Sequence, residues 1–206
     1  MSESTSREAE RAAELDRDRA VVARVLAGDV NAFESLVEAY QQPVYNLAYR
    51  MLGDRYEAED VAQEAFVRAY RNLHRYDPER SFRTWLLSIT SNHCIDRLRR
   101  RRVAWLSIDE PLPPHPALNS DAPDPEETAV QGERAQLVQS LLAQLPPDYR
   151  LVVIFRYWYD LSYTEIAEVT GTTESAVKSR LFRARRALAE MLSPNAAASL
   201  IPALEG

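Results

Sequence analysis

A chain of 206 residues, 46% of them hydrophobic, holds material for one large or two small cores. Its formal charge of −6 means that any grip on phosphate must come from a local patch, since such contacts act within about 8 to 10 Å at ordinary salt. No run approaches the roughly 18 to 20 apolar residues that span a bilayer, and MSESTSREAERAAELDRDR is charged where a signal peptide is apolar, so the expectation is a cytoplasmic protein without direct membrane insertion.

Residues 1–19 read as a flexible N-terminus, and residues 20–102 as four helices with clear punctuation. The first ends at Gly28. Asn31 is placed to cap the second, Pro43 marks a break or kink after Tyr40, and Gly53 closes the continuation. A third helix is predicted from about Arg55 to Leu73, burying Ala62, Phe66, Ala69 and Leu73. Its far side carries Asp60, Glu64, Val67 and Arg71 with Gln63 beside them, which is either a solvated face or a partner-docking surface.

The loop HRYDPERS follows, and Ser81 caps a fourth helix running into the basic cluster Arg97–Arg102. That helix is two-faced, with Phe82, Trp85, Leu86 and Ile89 on one side and Leu87, Ile95 and Leu98 on another. Tyr76, Arg80 and the later Asn92 combine aromatic, guanidinium and amide groups, a set suited to capturing an unstacked base. The competing reading is an interhelical turn with a core tyrosine.

Residues 103–132 hold six of the 12 prolines and several carboxylates but no Lys or Arg, and read as an extended acidic linker. A second helical domain is predicted over 133–192, followed by a tail at 193–206. Within it, Ser162 and Glu165 form a capping box that starts a short helix at Tyr163. Gly171 ends this helix and Thr172 can cap the next. On that next helix Val177, Leu181, Ala184, Leu188 and Met191 share one face. Ser175, Ser179, Phe182, Arg183 and Arg186 share the other, with Lys178 and Arg180 on its flanks. Five cations face the single anion Glu174 between Gly171 and Leu188, so this is a DNA-reading helix–turn–helix rather than a plain amphipathic hairpin.

Cys94 stands alone and His74, His93 and His115 share no ligand-like spacing with it, so a buried structural thiol is expected, with no metal and no cofactor. No phosphate-cradling Gly loop, His-Glu metal constellation or nucleophile–base pair is present. No catalytic residue is therefore assigned, and the chain is not expected to be an enzyme.

Three blocks in order, AFESLVEAYQQPVYNLAYRMLGD, AEDVAQEAFVRAYRNLHRYDPERSFRTWLLSITSNHCIDRLRRR and LPPDYRLVVIFRYWYDLSYTEIAEVTGTTESAVKSRLFRARRAL, resemble the extracytoplasmic-function (ECF) sigma factors of bacterial RNA polymerase, in the sigma-70 family. The resemblance implies an all-α fold in which a four-helix sigma-2-like domain and a helix–turn–helix sigma-4-like domain are joined by the acidic linker. It implies docking of Asp60, Gln63 and Glu64 on a coiled coil of the largest subunit of core RNA polymerase, and a contact with the flap region of the second largest. It also implies −10 recognition by Tyr76, Arg80, Ser81 and Asn92, with a flipped non-template base, and −35 recognition by Ser175, Lys178, Ser179, Phe182 and Arg183, flanked by Arg180 and Arg186. Promoter DNA and an inhibiting anti-sigma factor are the further partners implied. The rival reading is a dimeric helix–turn–helix regulator that acts without polymerase on paired half-sites.

Overall fold

The structure, a computed structural model, describes residues 2–106 and 127–192, and among these every regular element is helical. The N-terminal half contains α1 (Ser2–Leu26), α2 (Phe33–Leu52), α3 (Arg55–Arg71) and α4 (Phe82–Leu106). The C-terminal half contains α5 (Glu127–Gln144), α6 (Pro147–Trp158), α7 (Tyr163–Thr170) and α8 (Glu174–Met191).

Several local expectations are corrected. The segment expected to be a flexible N-terminus is part of α1, in keeping with its Glu, Arg and Ala content. What fastens α1 is a polar anchor: Asp18, 1% exposed, and Glu14 both face the Tyr40 hydroxyl, Glu14 at 2.8 Å. Val22 and Val25 of α1 are buried in the same cluster as Leu36 and Tyr40. Asn31 does not cap α2; the chain enters it through a 3-10 turn, Val30–Ala32, with no capping side chain. Nor does Pro43 break α2. Tyr40, Val44 and Leu47 are all buried around it, and this packing outweighs a lost backbone bond that costs roughly 3 kcal/mol in an isolated helix.

Asp54 caps α3 by accepting from the Glu57 amide at 2.8 Å, and Gly53, at φ 76°, closes α2 as expected. Ala62, Phe66, Ala69 and Leu73 are buried as the periodicity requires. On α4 the two faces enter two different cores. Phe82 and Leu86 join a cluster with α1, α2 and α3, whereas Leu87 and Cys94 join a second cluster with the C-terminal half.

That second cluster runs from Leu47, Met51 and Leu52 through Val61, Leu87 and Cys94 to Leu145, Leu151, Phe155, Ile166 and Val177, so the two halves share one core. Polar contacts reinforce it. The Tyr159 hydroxyl donates to the Pro43 carbonyl at 2.5 Å, and Gln139 donates to the carbonyls of Tyr49 and Arg50, each at 3.2 Å. The Arg150 guanidinium, 6% exposed, donates to the carbonyls of Met51, Ala143 (2.7 Å) and Leu145 (3.2 Å).

Most of the expected acidic linker lies outside the described residues, as does the 193–206 tail. The linker's two ends are helical, because α4 continues to Leu106 and α5 begins at Glu127.

Candidate nucleic-acid and polymerase interfaces

The helix–turn–helix is built by local chemistry. Ser162 accepts from the Glu165 amide at 3.2 Å while the Glu165 carboxylate takes the Ser162 amide at 2.7 Å, so each side chain satisfies an orphan donor of α7. Gly171 ends α7 at φ 62°, and the Thr172 amide reaches back to the Ala167 carbonyl at 2.9 Å. The cap of α8 is Thr173, one residue later than expected. Its hydroxyl accepts from the Ala176 amide at 3.2 Å, while Thr172 is spent on closing the turn.

Val177, Leu181, Ala184 and Leu188 are buried, which fixes the rotation of α8. Met191, expected on that face, is 37% exposed because it sits in the final turn, beyond the last core contact. Ser175, Lys178, Ser179, Arg183 and Arg186 are exposed, Phe182 is 63% exposed and Arg180 is half-buried at the edge. Lys178 is held by Glu174 at 2.6 Å, lies 5.6 Å over the Tyr163 ring, and has its pKa raised chiefly by the Glu174 hydrogen bond. Arg186 pairs with Glu190 at 3.0 Å, and Arg183 donates to the Tyr149 hydroxyl at 3.4 Å. These exposed pairs are weak and leave the groups free to exchange one another for phosphate or base edges.

On α3, Asp60 and Gln63 are exposed and Glu64 is half-buried. Glu64 is hydrogen-bonded by Arg68 at 2.7 Å, which lowers its pKa, and Asp60 lies 3.4 Å from Arg97. Val67 and Tyr70, each 41% exposed, continue the stripe. Tyr70 was not anticipated, although its spacing from Val67 places it on the same side of the helix. Its ring is propped edge-on by Phe33 at 5.2 Å.

The base-capture set is only partly assembled. Tyr76, expected to face a base, is 6% exposed, with its ring 5.5 Å from Phe82 and 5.3 Å from Trp85. It is the core tyrosine of an interhelical turn, and its hydroxyl donates inward to the Arg80 carbonyl. Arg80 and Ser81 are exposed in that turn, and Ser81 caps α4 by accepting from the Thr84 amide at 3.3 Å. Asn92 is exposed on the same side of α4 as Ser81, but eleven residues further on, a rise of about 16 Å. Half-buried Trp85 lies between them on this side, its ring 5.3 Å from Tyr76 and 5.6 Å from Phe82. Trp85 was expected on the covered face with Phe82, Leu86 and Ile89, and it packs in part against that cluster.

The lower basic cluster is structural in part. Arg97 and Arg101 both pair with Glu57, Arg97 at 3.6 Å, and join α4 to α3. Cys94 is fully buried, and burial pushes its thiol up to about 12.

Comparison with known proteins matches residues 36–103 to the family described as Sigma-70 region 2 and residues 135–188 to Sigma-70, region 4. The chain is 38% identical to the ECF RNA polymerase sigma factor SigW of Bacillus subtilis, covering 83% of this chain and 94% of that protein. It is 36% identical to the RNA polymerase sigma-H factor of Pseudomonas aeruginosa, covering 87% and 95%. Among solved structures, CnrH in complex with the cytosolic domain of CnrY superposes with a TM-score of 0.63 at 29% identity, covering 85% of this chain and 96% of that one. The extracytoplasmic function sigma factor SigJ of Mycobacterium tuberculosis gives a TM-score of 0.53 at 30% identity, covering 81% and 56%. Two sequence blocks in the right order, the helical scaffold that carries them and near full-length relatives agree: the chain belongs to the ECF group of RNA polymerase sigma factors.

Proposed function

We propose that this sigma factor reads its promoters through two separate grips. The face of α8 formed by Ser175, Lys178, Ser179, Phe182 and Arg183, with Arg180 and Arg186 alongside, enters the major groove at −35. The turn bearing Arg80 and Ser81, together with Trp85 and Asn92 on α4, holds an unstacked non-template base at −10. Asp60, Gln63 and Glu64 on α3, extended by Val67 and Tyr70, dock on core polymerase, which supplies the chemistry of RNA synthesis. The chain works in the cytoplasm without catalysis of its own, restrained by an anti-sigma protein; the similar protein CnrH is seen in complex with another protein's domain, the cytosolic domain of CnrY.

The observation that carries this reading is the outward array on α8. A 63% exposed phenylalanine among serines and guanidinium groups, on a helix locked by caps at its start and by a core on its back, is a poor solvent surface and a good groove surface. In vitro transcription with core polymerase over a promoter library tests it. Promoter-specific transcripts are expected only with both components present. Arg183→Ala should cut use of the preferred promoters about tenfold or more, the loss of one good base contact. A symmetric footprint without polymerase, and no effect of the chain on transcription, would establish the dimeric regulator instead.

A further inference from the structure

Helix α1 begins ahead of the span matched by the region 2 family, which starts at residue 36, yet it touches the −10 turn directly. Arg19 donates from Nε to the Pro78 carbonyl, and its Nη2 lies 3.0 Å from the Glu79 carboxylate. A second brace comes from inside: the Tyr76 hydroxyl donates to the Arg80 carbonyl, two residues beyond Pro78. Between these braces the turn is closed by its own bonds, with Asp77 accepting from the Glu79 amide at 3.0 Å and the Arg80 amide reaching the Asp77 carbonyl at 3.0 Å.

The two braces have one origin. Asp18, next to Arg19, and Glu14 hold the Tyr40 hydroxyl, the Tyr40 ring lies 5.7 Å from Phe82, and Phe82 lies 5.5 Å from Tyr76. The carboxylates of α1 thus set its height over α2, and that height decides where the Arg19 guanidinium meets the turn. An exposed four-residue turn, Asp77–Arg80, with Pro78 and three charged side chains would otherwise sample several conformations, and ordering it on binding would weaken the grip on a base.

We propose that α1 belongs to the −10 site, with Arg19 as a positioning residue that holds the Asp77–Ser81 turn in its base-binding conformation before DNA arrives. The proposal rests on the −10 reading given above, and its test separates the two. Holoenzyme made from the full chain is titrated with a single-stranded non-template oligonucleotide carrying the −10 element of a promoter it transcribes. A matching series carries one abasic site at each position in turn.

For the unaltered chain, one abasic position is expected to lose much of the affinity, and Arg80→Ala and Asn92→Ala are expected to shrink that difference. Arg19→Ala is expected to weaken binding of the intact oligonucleotide roughly three- to tenfold, the cost of ordering one or two side chains at binding. It should leave binding of the critical abasic oligonucleotide, core polymerase affinity and the thermal midpoint nearly unchanged. Arg19→Lys, which keeps a charge for Glu79 but loses the fork, should fall between.

An Arg19→Ala effect equal on intact and abasic oligonucleotides, or none at all, overturns the positioning role. If no abasic position matters for the unaltered chain, the −10 reading fails first and takes this inference with it. Should Arg19→Ala lower the thermal midpoint, Glu79→Gln is decisive. It loosens the same ion pair from an exposed residue, and its failure to reproduce the base-dependent loss also overturns the role.

Discussion

Arg150 shows how much of this molecule is decided by single buried polar groups. Its guanidinium joins the end of α2 to the α5–α6 junction through three carbonyls, its Nε has no partner among the described residues, and burial lowers its pKa to about 10. Arg150→Met keeps much of the stem and removes the donors. Three carbonyls lose a partner, while the cost of burying a charge is relieved, so a net loss of about 2 kcal/mol is expected in urea unfolding. Asp18 gives a prediction of the opposite kind. Burial is the main cause that raises its pKa, against the opposing hydrogen bond from Tyr40 and the charge of Arg17. A carboxyl raised on folding contributes stability that is full below its unfolded value and is lost as pH rises through the folded value. Asp18→Asn retains an oxygen to accept from Tyr40 and does not titrate. It should therefore be at least as stable as the parent at neutral pH, with an advantage that shrinks toward the ordinary carboxylate range, as followed by thermal midpoints across that pH interval. Neither residue announced its role in the sequence: an arginine in LPPDYRLVV and an aspartate in LDRDR read as surface charges until a long-range partner is known.

At the scale of elements, the short connection between α7 and α8 depends on a backbone that L-residues avoid. Gly171 has φ 62° with open space where a Cβ would stand, so Gly171→Ala should cost about 1 kcal/mol from backbone strain alone, without a steric clash. Thermal unfolding reads that loss, and the −35 affinity of folded Gly171→Ala protein should be nearly normal. This hairpin was the most legible part of the chain because capping box, C′ glycine and apolar period are all local signals, and even here the cap was placed one residue early. The two-faced character of α4 was equally legible, from Phe82 and Leu86 against Leu87, Ile95 and Leu98. What covers the second face was not, since an apolar stripe states that it is buried and not by what. Tyr76 failed for a related reason: a tyrosine beside a turn has the same local pattern whether its ring packs inward on Phe82 and Trp85 or outward on a base. The helical N-terminus was missed because its charge density resembles a solvated segment, while the Asp18–Tyr40 contact that fastens it spans 22 residues.

For the whole molecule the shared core sets a problem that DNA geometry makes quantitative. Grips on the −35 and −10 elements stand roughly 25 base pairs apart, about 85 Å at 3.4 Å per step. A compact chain of 206 residues has a radius of gyration of about 17 Å. Both elements cannot be read at once while Leu47, Met51 and Cys94 pack against Leu145, Leu151 and Phe155, with Arg50 stacked 5.1 Å from Trp158 and Arg83 5.8 Å from Tyr159. The halves must therefore part when promoter and polymerase engage, and the binding energy of those partners must offset the apolar surface exposed. Spin labels at exposed Glu38 on α2 and exposed Arg185 on α8, in a Cys94→Ala background, measure this. The free chain should give a single short distance. Holoenzyme on a promoter should give one longer by several tens of ångströms, in keeping with the roughly 85 Å between the grips. Arg150→Met should populate the long distance even without partners, because it removes the donor to Met51 that ties α6 to α2. An unchanged short distance in the promoter complex would mean that the two grips never act on one promoter together, and that the chain reads DNA with one domain at a time.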